Sequence, residues 1–290
     1  MIDRLALGTV QFGFPYGITN KTGQVSRDEV TTILDYAWAM GLHTLDTAID
    51  YGESEQRLGD VGVAQWQVIS KLPSIPESCK DVVSWTQKLV LGSLERLKLP
   101  KLGGLLLHRP KQLLSPMGQT LYQALVALKD QGKIGKIGIS IYDPDELDSL
   151  WPYYKFDLVQ APFNVIDRRL ATSGWLIKLH QTGTEVHVRS VFLQGLLLMK
   201  AANRLTTFNR WQPLWQQWHR WLDEQHLTPL QACLGFALSQ PEIDRVVVGV
   251  DCLKQLQEIL VNAEALIRMP PKTLMSEDLD LINPTHWIAQ

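Results

Sequence analysis

The sequence predicts a single (β/α)8 barrel, and three observations carry that expectation. Eight short apolar runs alternate with longer amphipathic stretches along 290 residues. The runs are nearly continuous in Val, Ile and Leu, as parallel strands buried on both faces require. The length is close to the ~250 residues typical of such barrels. A doubly wound open sheet is the structural rival. It is disfavoured because no G-x-G-x-x-G follows the first strand, and Gly8…Gly13 lacks the Lys-Ser/Thr of a phosphate loop.

The expected strands are Leu5–Gly8, His43–Asp46, Gln67–Lys71, Gly104–His108, Ile134–Ser140, Phe156–Gln160, Glu185–Val191 and Arg245–Gly249. The first helix opens on a capping box, with Ser26 as N-cap and Glu29 three residues later, and Gly41 is placed to end it. Between those ends Ile33, Leu34, Ala37 and Met40 recur at helical spacing. Helices are expected at Val82–Leu97, Leu121–Asp130, Asp145–Trp151, Leu170–Gln181 and Leu253–Ile267. Another runs Pro229–Leu238, where Thr228 caps and Pro229 takes the first helical position at no hydrogen-bonding cost. The interval from Glu185 to Arg245 is the longest repeat. It carries Trp211, Trp215 and Trp218 at helical spacing, which reads first as a helix packed on the barrel wall. No linker or charge block divides the chain, so residues 1–290 read as one domain.

Composition narrows the function classes. Hydrophobic residues are 45%, charged residues 20% and the formal net charge is −2, the profile of a globular chain with a filled core. Without a basic excess to neutralise phosphates, no nucleic-acid partner is expected. The apolar runs fall short of the ~20 residues needed to span a bilayer, so no membrane partner is expected either. Met1-Ile2-Asp3-Arg4 does not open a secretory signal. Cys79, Cys233 and Cys252 have no C-x-x-C spacing, which points to a cytoplasmic protein with no disulfide framework and no metal site. His219 and His226 have no nearby carboxylate pattern and read as surface or packing residues.

Catalytic groups of a barrel lie at the C-terminal ends of its strands. The second strand ends in Asp46, with Tyr51 just beyond; the third ends in Lys71 and the fourth in His108. Singly, each has a plain structural reading as a turn cap, a solvated lysine or a hydrogen-bonded histidine. Together, at three consecutive strand ends, they form a site for proton delivery. A free phenol, with pKa ~10, is a weak acid at neutral pH, and a neighbouring ammonium is expected to lower that value. Lys71 supplies the charge, Asp46 holds Lys71 protonated, and His108 orients a carbonyl oxygen. The accompanying hydride has to come from a cofactor.

The chain resembles the aldo-keto reductase superfamily along almost its whole length. The resemblance is carried by Leu7-Gly8-Thr9, Asp46-Thr47-Ala48-Ile49-Asp50-Tyr51-Gly52, Ser70-Lys71 and Leu106-Leu107-His108-Arg109-Pro110. It continues through Gly138-Ile139-Ser140, Val159-Gln160…Phe163-Asn164, Gln194-Gly195-Leu196-Leu197 and Val248-Gly249. It implies a nicotinamide cofactor extended across the barrel mouth near Gly8 and Thr9, which agrees with the missing glycine fingerprint. By resemblance, Ser140 and Gln160 hold the nicotinamide carboxamide, and Ser190, Phe192, Gln194 and Gly195 line the pyrophosphate loop. The stretch Gly249–Glu258 wraps the adenosine, with Gln255 and Glu258 as polar contacts.

Three positions depart from the family pattern. Ile141 stands where an Asn often follows the fifth-strand serine. Arg189 stands where a Tyr commonly stacks on the nicotinamide; a guanidinium there favours the neutral reduced ring over the cationic oxidised one. Asp251 stands where relatives often place a cation for a 2′-phosphate, and an acid suits a 2′-hydroxyl. Family habit favours NADP(H), with NAD(H) the alternative and Lys254 a compensating cation.

The leading expectation is an enzyme, an NAD(P)(H)-dependent oxidoreductase that interconverts a small carbonyl compound and an alcohol, with Tyr51 as general acid. The alternative is a sensor or interaction subunit that binds the cofactor without turnover. A Schiff-base lyase using Lys71 is a third reading, weakened by Asp46, which keeps the amine protonated. The substrate is expected to meet residues 10–21, 109–114 and 200–215. There Phe12, Phe14, Tyr16, Phe208 and Trp211 mix with Arg109 and Arg204, a lining compatible with sugar-like, aromatic or anionic carbonyls. No oligomeric state is assigned by the sequence.

Overall fold

A computed structural model describes residues 1–289. Eight parallel strands close into one barrel in chain order. They are β1 (Leu5–Gly8), β2 (Thr44–Asp46), β3 (Gln67–Leu72), β4 (Gly104–Leu107), β5 (Ile137–Ser140), β6 (Leu158–Pro162), β7 (Glu185–Arg189) and β8 (Arg245–Gly249). Closure is made by β1 on β8, in register from Leu5 opposite Val246 to Gly8 opposite Gly249. With Val, Ile and Leu on both faces, each strand is covered outside by helices and inside by its neighbours across the barrel.

The inward face follows from contacts between non-adjacent strands. Gln160 of β6 bonds Asp46 of β2 across the barrel. By the two-residue period, Leu158, Ile69 and Leu106 then fill the interior one layer below; these three form a separate buried cluster. Glycines make room for them: a Cβ on Gly138 would stand 2.5 Å from a Leu106 methyl.

All eight expected strands are present, β1 and β8 with the expected ends and the others with one or both ends shifted. β5 begins at Ile137, because Ile134 forms only an isolated bridge to Leu102. β6 is displaced by two residues toward Pro162. β7 stops at Arg189, since Ser190 turns the chain with φ 60°.

The helices also differ in places. The Leu170–Gln181 expectation splits at Gly174 (φ 82°), leaving Trp175–Gln181 as the main helix. Leu253–Asn262 ends five residues early. The Trp-rich interval forms Gln212–Gln225 and buries Trp215, Trp218 and Trp221, whereas Trp211, expected on the same face, precedes the helix and is half-buried. Phe12 and Phe208, expected at the substrate mouth, are core residues instead.

Like the short helices Val10–Gly13 and Leu279–Ile282, helix Ser54–Val61 has no counterpart in the sequence reading. Its composition is polar, so its apolar period is weak. It is held by close approach and by a buried acid. A Cβ on Gly59 would lie 1.9 Å from the Arg96 carbonyl oxygen, so only glycine lets this helix meet Val82–Leu97 there. Glu55 accepts from Ser70 Oγ (2.7 Å), Ser93 Oγ (2.6 Å) and Arg96 (2.7 Å), tying the helix to β3 beside Lys71.

Candidate active site

At the C-terminal end of the barrel, Lys71 is 1% exposed and its ammonium donates to Asp46 Oδ1 (2.6 Å) and to the Thr47 carbonyl (2.8 Å). Gln160 Nε2 donates to the other Asp46 oxygen at 2.7 Å. Ser140 Oγ donates to Gln160 Oε1 at 3.2 Å. The carboxylate is therefore engaged on both oxygens, which fixes the lysine in place and answers its burial.

The Tyr51 ring lies 5.0 Å from the Lys71 ammonium, centroid to nitrogen, and 6.0 Å edge-on from the His108 ring. The segment bearing Tyr51 continues the ladder past β2: Thr47 N–H donates to Ile69 O and Ile49 N–H to Lys71 O. The β1 loop presses on it from the other side. A Cβ on Gly13 would stand 1.7 Å from the Tyr51 carbonyl oxygen, and Phe14 meets the Tyr51 ring edge-on. Gly13 is thus a site-building residue, whose signal in the sequence is only that it is a glycine.

His108 follows β4 directly, and its Nδ1 is 3.3 Å from Asp50 Oδ1. Burial alone would raise the Asp50 carboxyl, but the hydrogen bond and charge of His108 outweigh it and leave it lowered. Asp50 is a member of the site that had no assigned role.

The structure corrects one expectation. The Tyr51 phenol is not made acidic at rest; it is pushed well above its ordinary value. Burial is the main cause, and Asp46, Tyr16 and Asp50 add to it, while Arg189 opposes. Lys71, whose ammonium donates to Asp46 and to the Thr47 carbonyl, does not offset that burial.

Of the residues expected to hold a cofactor, Gly8, Ser140, Arg189 and Gly249 stand at the C-terminal ends of β1, β5, β7 and β8. Gly8 and Gly249 face each other in register at the β1–β8 seam. A Cβ on Gly249 would collide with the Gln11 amide at 2.6 Å, and Gln11 Oε1 is buried without a hydrogen-bond partner. The Thr9 hydroxyl is committed to the Asp46 carbonyl and to Ser54, so this side chain builds the site from outside the barrel. After β7, Ser190, Leu193 and Gln194 all have positive φ, strained for residues with a side chain. Gly195 follows at φ 89°, with Thr19 filling the space a Cβ would need. Phe192 is half-buried against the core.

Arg189 donates to the Ile141 carbonyl (3.0 Å) and Ser190 Oγ (3.3 Å) and lies over the Tyr142 ring at 4.4 Å. Arg204 is turned away to His219 and the Trp215 ring. Among the described residues no cluster of three or more His, Cys, Asp or Glu could hold a metal ion.

At the expected adenosine end, Asp251 accepts from Asn20 (2.8 Å), and its own amide donates to Gln255 Oε1 (2.7 Å). The first amide of helix Leu253–Asn262 donates to Glu29 Oε1 at 2.6 Å, across 224 residues. Glu29 thus leaves its own capping box, whose Ser26 half is formed at 3.3 Å. Lys254, the one compensating cation foreseen, is exposed and 4.0 Å from Glu258.

Residues 4–271 match the Aldo/keto reductase family model. The chain belongs to the aldo-keto reductase family. It is 25% identical to the NADH-specific methylglyoxal reductase of Escherichia coli (strain K12), over 95% of this chain and 94% of that protein. It is also 25% identical to a D-threo-aldose 1-dehydrogenase of Pseudomonas sp, over 94% and 93% of the two chains. The holo structure of an aldo-keto reductase from Bacillus halodurans superposes with a TM-score of 0.71. That pair covers 95% and 94% of the two chains at 18% identity, a likeness of fold. Family membership makes the protein an oxidoreductase of the aldo-keto reductase kind, acting with a nicotinamide cofactor on small carbonyl compounds. No helix among the described residues is long and apolar enough to cross a membrane.

Proposed function

We propose that this aldo-keto reductase reduces an aldehyde or ketone to an alcohol, with Tyr51 delivering the proton. The observation that carries the reading is the buried Lys71–Asp46 pair set against the Tyr51 ring, with His108 on the ring's other neighbour position. The cofactor, when bound, supplies the hydride.

The high resting pKa of Tyr51 suits a donor: the phenol keeps its proton until a carbonyl oxygen gains charge beside it. Lys71 then acts on the phenolate that remains, stabilising it where the resting phenol gains little. His108 orients the carbonyl through Nε2. Its Nδ1 is directed at Asp50 Oδ1 at 3.3 Å, which holds the ring in place beside Tyr51.

The residues present fit a nicotinamide cofactor. The unpartnered Gln11 oxygen at Gly249 and the strained backbone at residues 190–195 both lie along the mouth, where the family resemblance places the cofactor. Ser140 and Gln160 would hold the carboxamide with the capacity left beyond their bonds to each other and to Asp46. Gly8, Ser190, Phe192, Gln194 and Gly195 would line its path, and Asp251, Gln255 and Glu258 the adenosine.

For the adenosine end, the NAD(H) alternative is preferred here over family habit. Two carboxylates, Glu29 and Asp251, stand at the helix start where a 2′-phosphate would need free amides and cations. Titrating the protein with each reduced cofactor by fluorescence quenching tests this. NADH should bind about tenfold or more tighter than NADPH, as like-charge repulsion at a helix terminus predicts. Glu29→Gln should narrow the gap. Tighter binding of NADPH would contradict the assignment.

A further inference from the structure

The mouth beside Tyr51 holds two guanidinium groups, of which Arg189 stands at the position expected against the nicotinamide and Arg109 has no role in the reaction as described. Arg109 follows His108 in the chain and lies 5.0 Å from the Tyr142 ring centroid; Arg189, at the end of β7, lies 4.4 Å from the same centroid. Neither is paired with a carboxylate among the described residues. Arg189 donates only to a carbonyl and a hydroxyl. Arg109 is exposed, with its guanidinium over the Tyr142 ring.

The nearby carboxylates bond groups other than Arg109 and Arg189, with Asp167 sharing Arg169 with Asp143. Asp50 pairs with His108, Asp143 with Arg169 at 2.5 Å, and Asp46 with Lys71 and Gln160. Two guanidinium groups without a carboxylate partner among the described residues thus stand in the wall of the mouth. Arg189 acts on Tyr51 and Tyr16 alike, pulling both phenols down against their burial, so its field reaches the reacting end of the pocket.

We propose that the carbonyl substrate carries a carboxylate, gripped by Arg109 at the rim, with Arg189 supplying positive potential beneath. The inference rests on the reductase reading and names the substrate class for that same site. A guanidinium fork matches a carboxylate in two parallel hydrogen bonds, and packing against Tyr142 restrains that fork before the ligand arrives. The exposed position of Arg109 lets a substrate reach it while its carbonyl points inward to Tyr51 and His108. An acid-bearing aldehyde or a keto acid has both groups; a neutral aldehyde would leave two cations unanswered.

The test uses the cofactor-loaded enzyme and a matched pair of aldehydes, para-carboxybenzaldehyde and its neutral isostere para-carbamoylbenzaldehyde. The carboxylated member should have a kcat/KM about tenfold or more above the neutral one, the scale expected of a charge-assisted bidentate contact. Arg109→Met should collapse that ratio, with the loss falling on KM, and Arg109→Lys should restore part of it. Calorimetry with benzoate and benzamide gives a readout free of turnover: benzoate should bind more tightly, and Arg109→Met should remove the difference. Equal kcat/KM for the two aldehydes, or a ratio unmoved by Arg109→Met, overturns the proposal while leaving the reductase intact. Arg109-dependent binding of benzoate without reduction of either aldehyde would uphold the anion site and sink the reductase reading.

Discussion

Replacing Tyr51 with Phe should lower kcat for carbonyl reduction by about a thousandfold, within the range that a positioned general acid supplies. The substitution removes one oxygen and leaves the ring. The contacts with Lys71, His108 and Phe14 are all made by that ring, so the surrounding geometry should persist. Tyr51 Oη makes no hydrogen bond to another described residue, so no buried partner is orphaned by its loss. Cofactor affinity, read by fluorescence quenching, should therefore stay within about threefold of the parent, because no positioned charge has moved. A variant that turns over at the parent rate would remove Tyr51 from its role.

Lys71→Met should have the second large effect, and on stability as well as rate. The ammonium is 1% exposed and meets Asp46, itself 5% exposed, at 2.6 Å. Taking one partner from a buried pair leaves the other charge uncompensated, at a cost of about 3–5 kcal/mol. Thermal unfolding should move down by several degrees, and turnover should be lost with it. A second change separates the two effects. The double variant Lys71→Met, Asp46→Leu should recover much of the melting temperature, because no lone charge remains, while activity stays lost. Recovery of activity in that double variant would show the pair to be structural.

Much of this was legible in the sequence, and the parts that were not share a physical cause. Strands read well because burial on both faces leaves near-continuous apolar runs, and β1 and β8 keep their expected ends. Asp46, Lys71 and His108 read well because a strand end fixes both their direction and their mouth. Helix Ser54–Val61 was hidden because Glu55 and Gly59 hold it through a buried acid and a close approach, neither of which leaves an apolar period. Gly13, beside Tyr51, is the same kind of case.

The resting state of Tyr51 was misjudged for a related reason. Its electrostatics depend on what Lys71 already touches, and Gln160, 114 residues from Asp46, completes that arrangement across the barrel. Glu29 shows the same limit: its local pattern signals a capping box, yet its carboxylate caps a helix 224 residues away. Pairings of that range have no local signature.

The central claim is that a carbonyl carbon receives hydride from a nicotinamide while Tyr51 protonates its oxygen. The most direct measurement loads the enzyme with reduced cofactor carrying two deuterium atoms at its transferring carbon, adds one carbonyl substrate, and follows cofactor absorbance and product mass together. One alcohol is expected per cofactor oxidised, each carrying one deuterium on the former carbonyl carbon. Unlabelled alcohol, or a broad set of aldehydes that leaves the bound cofactor reduced, would contradict it.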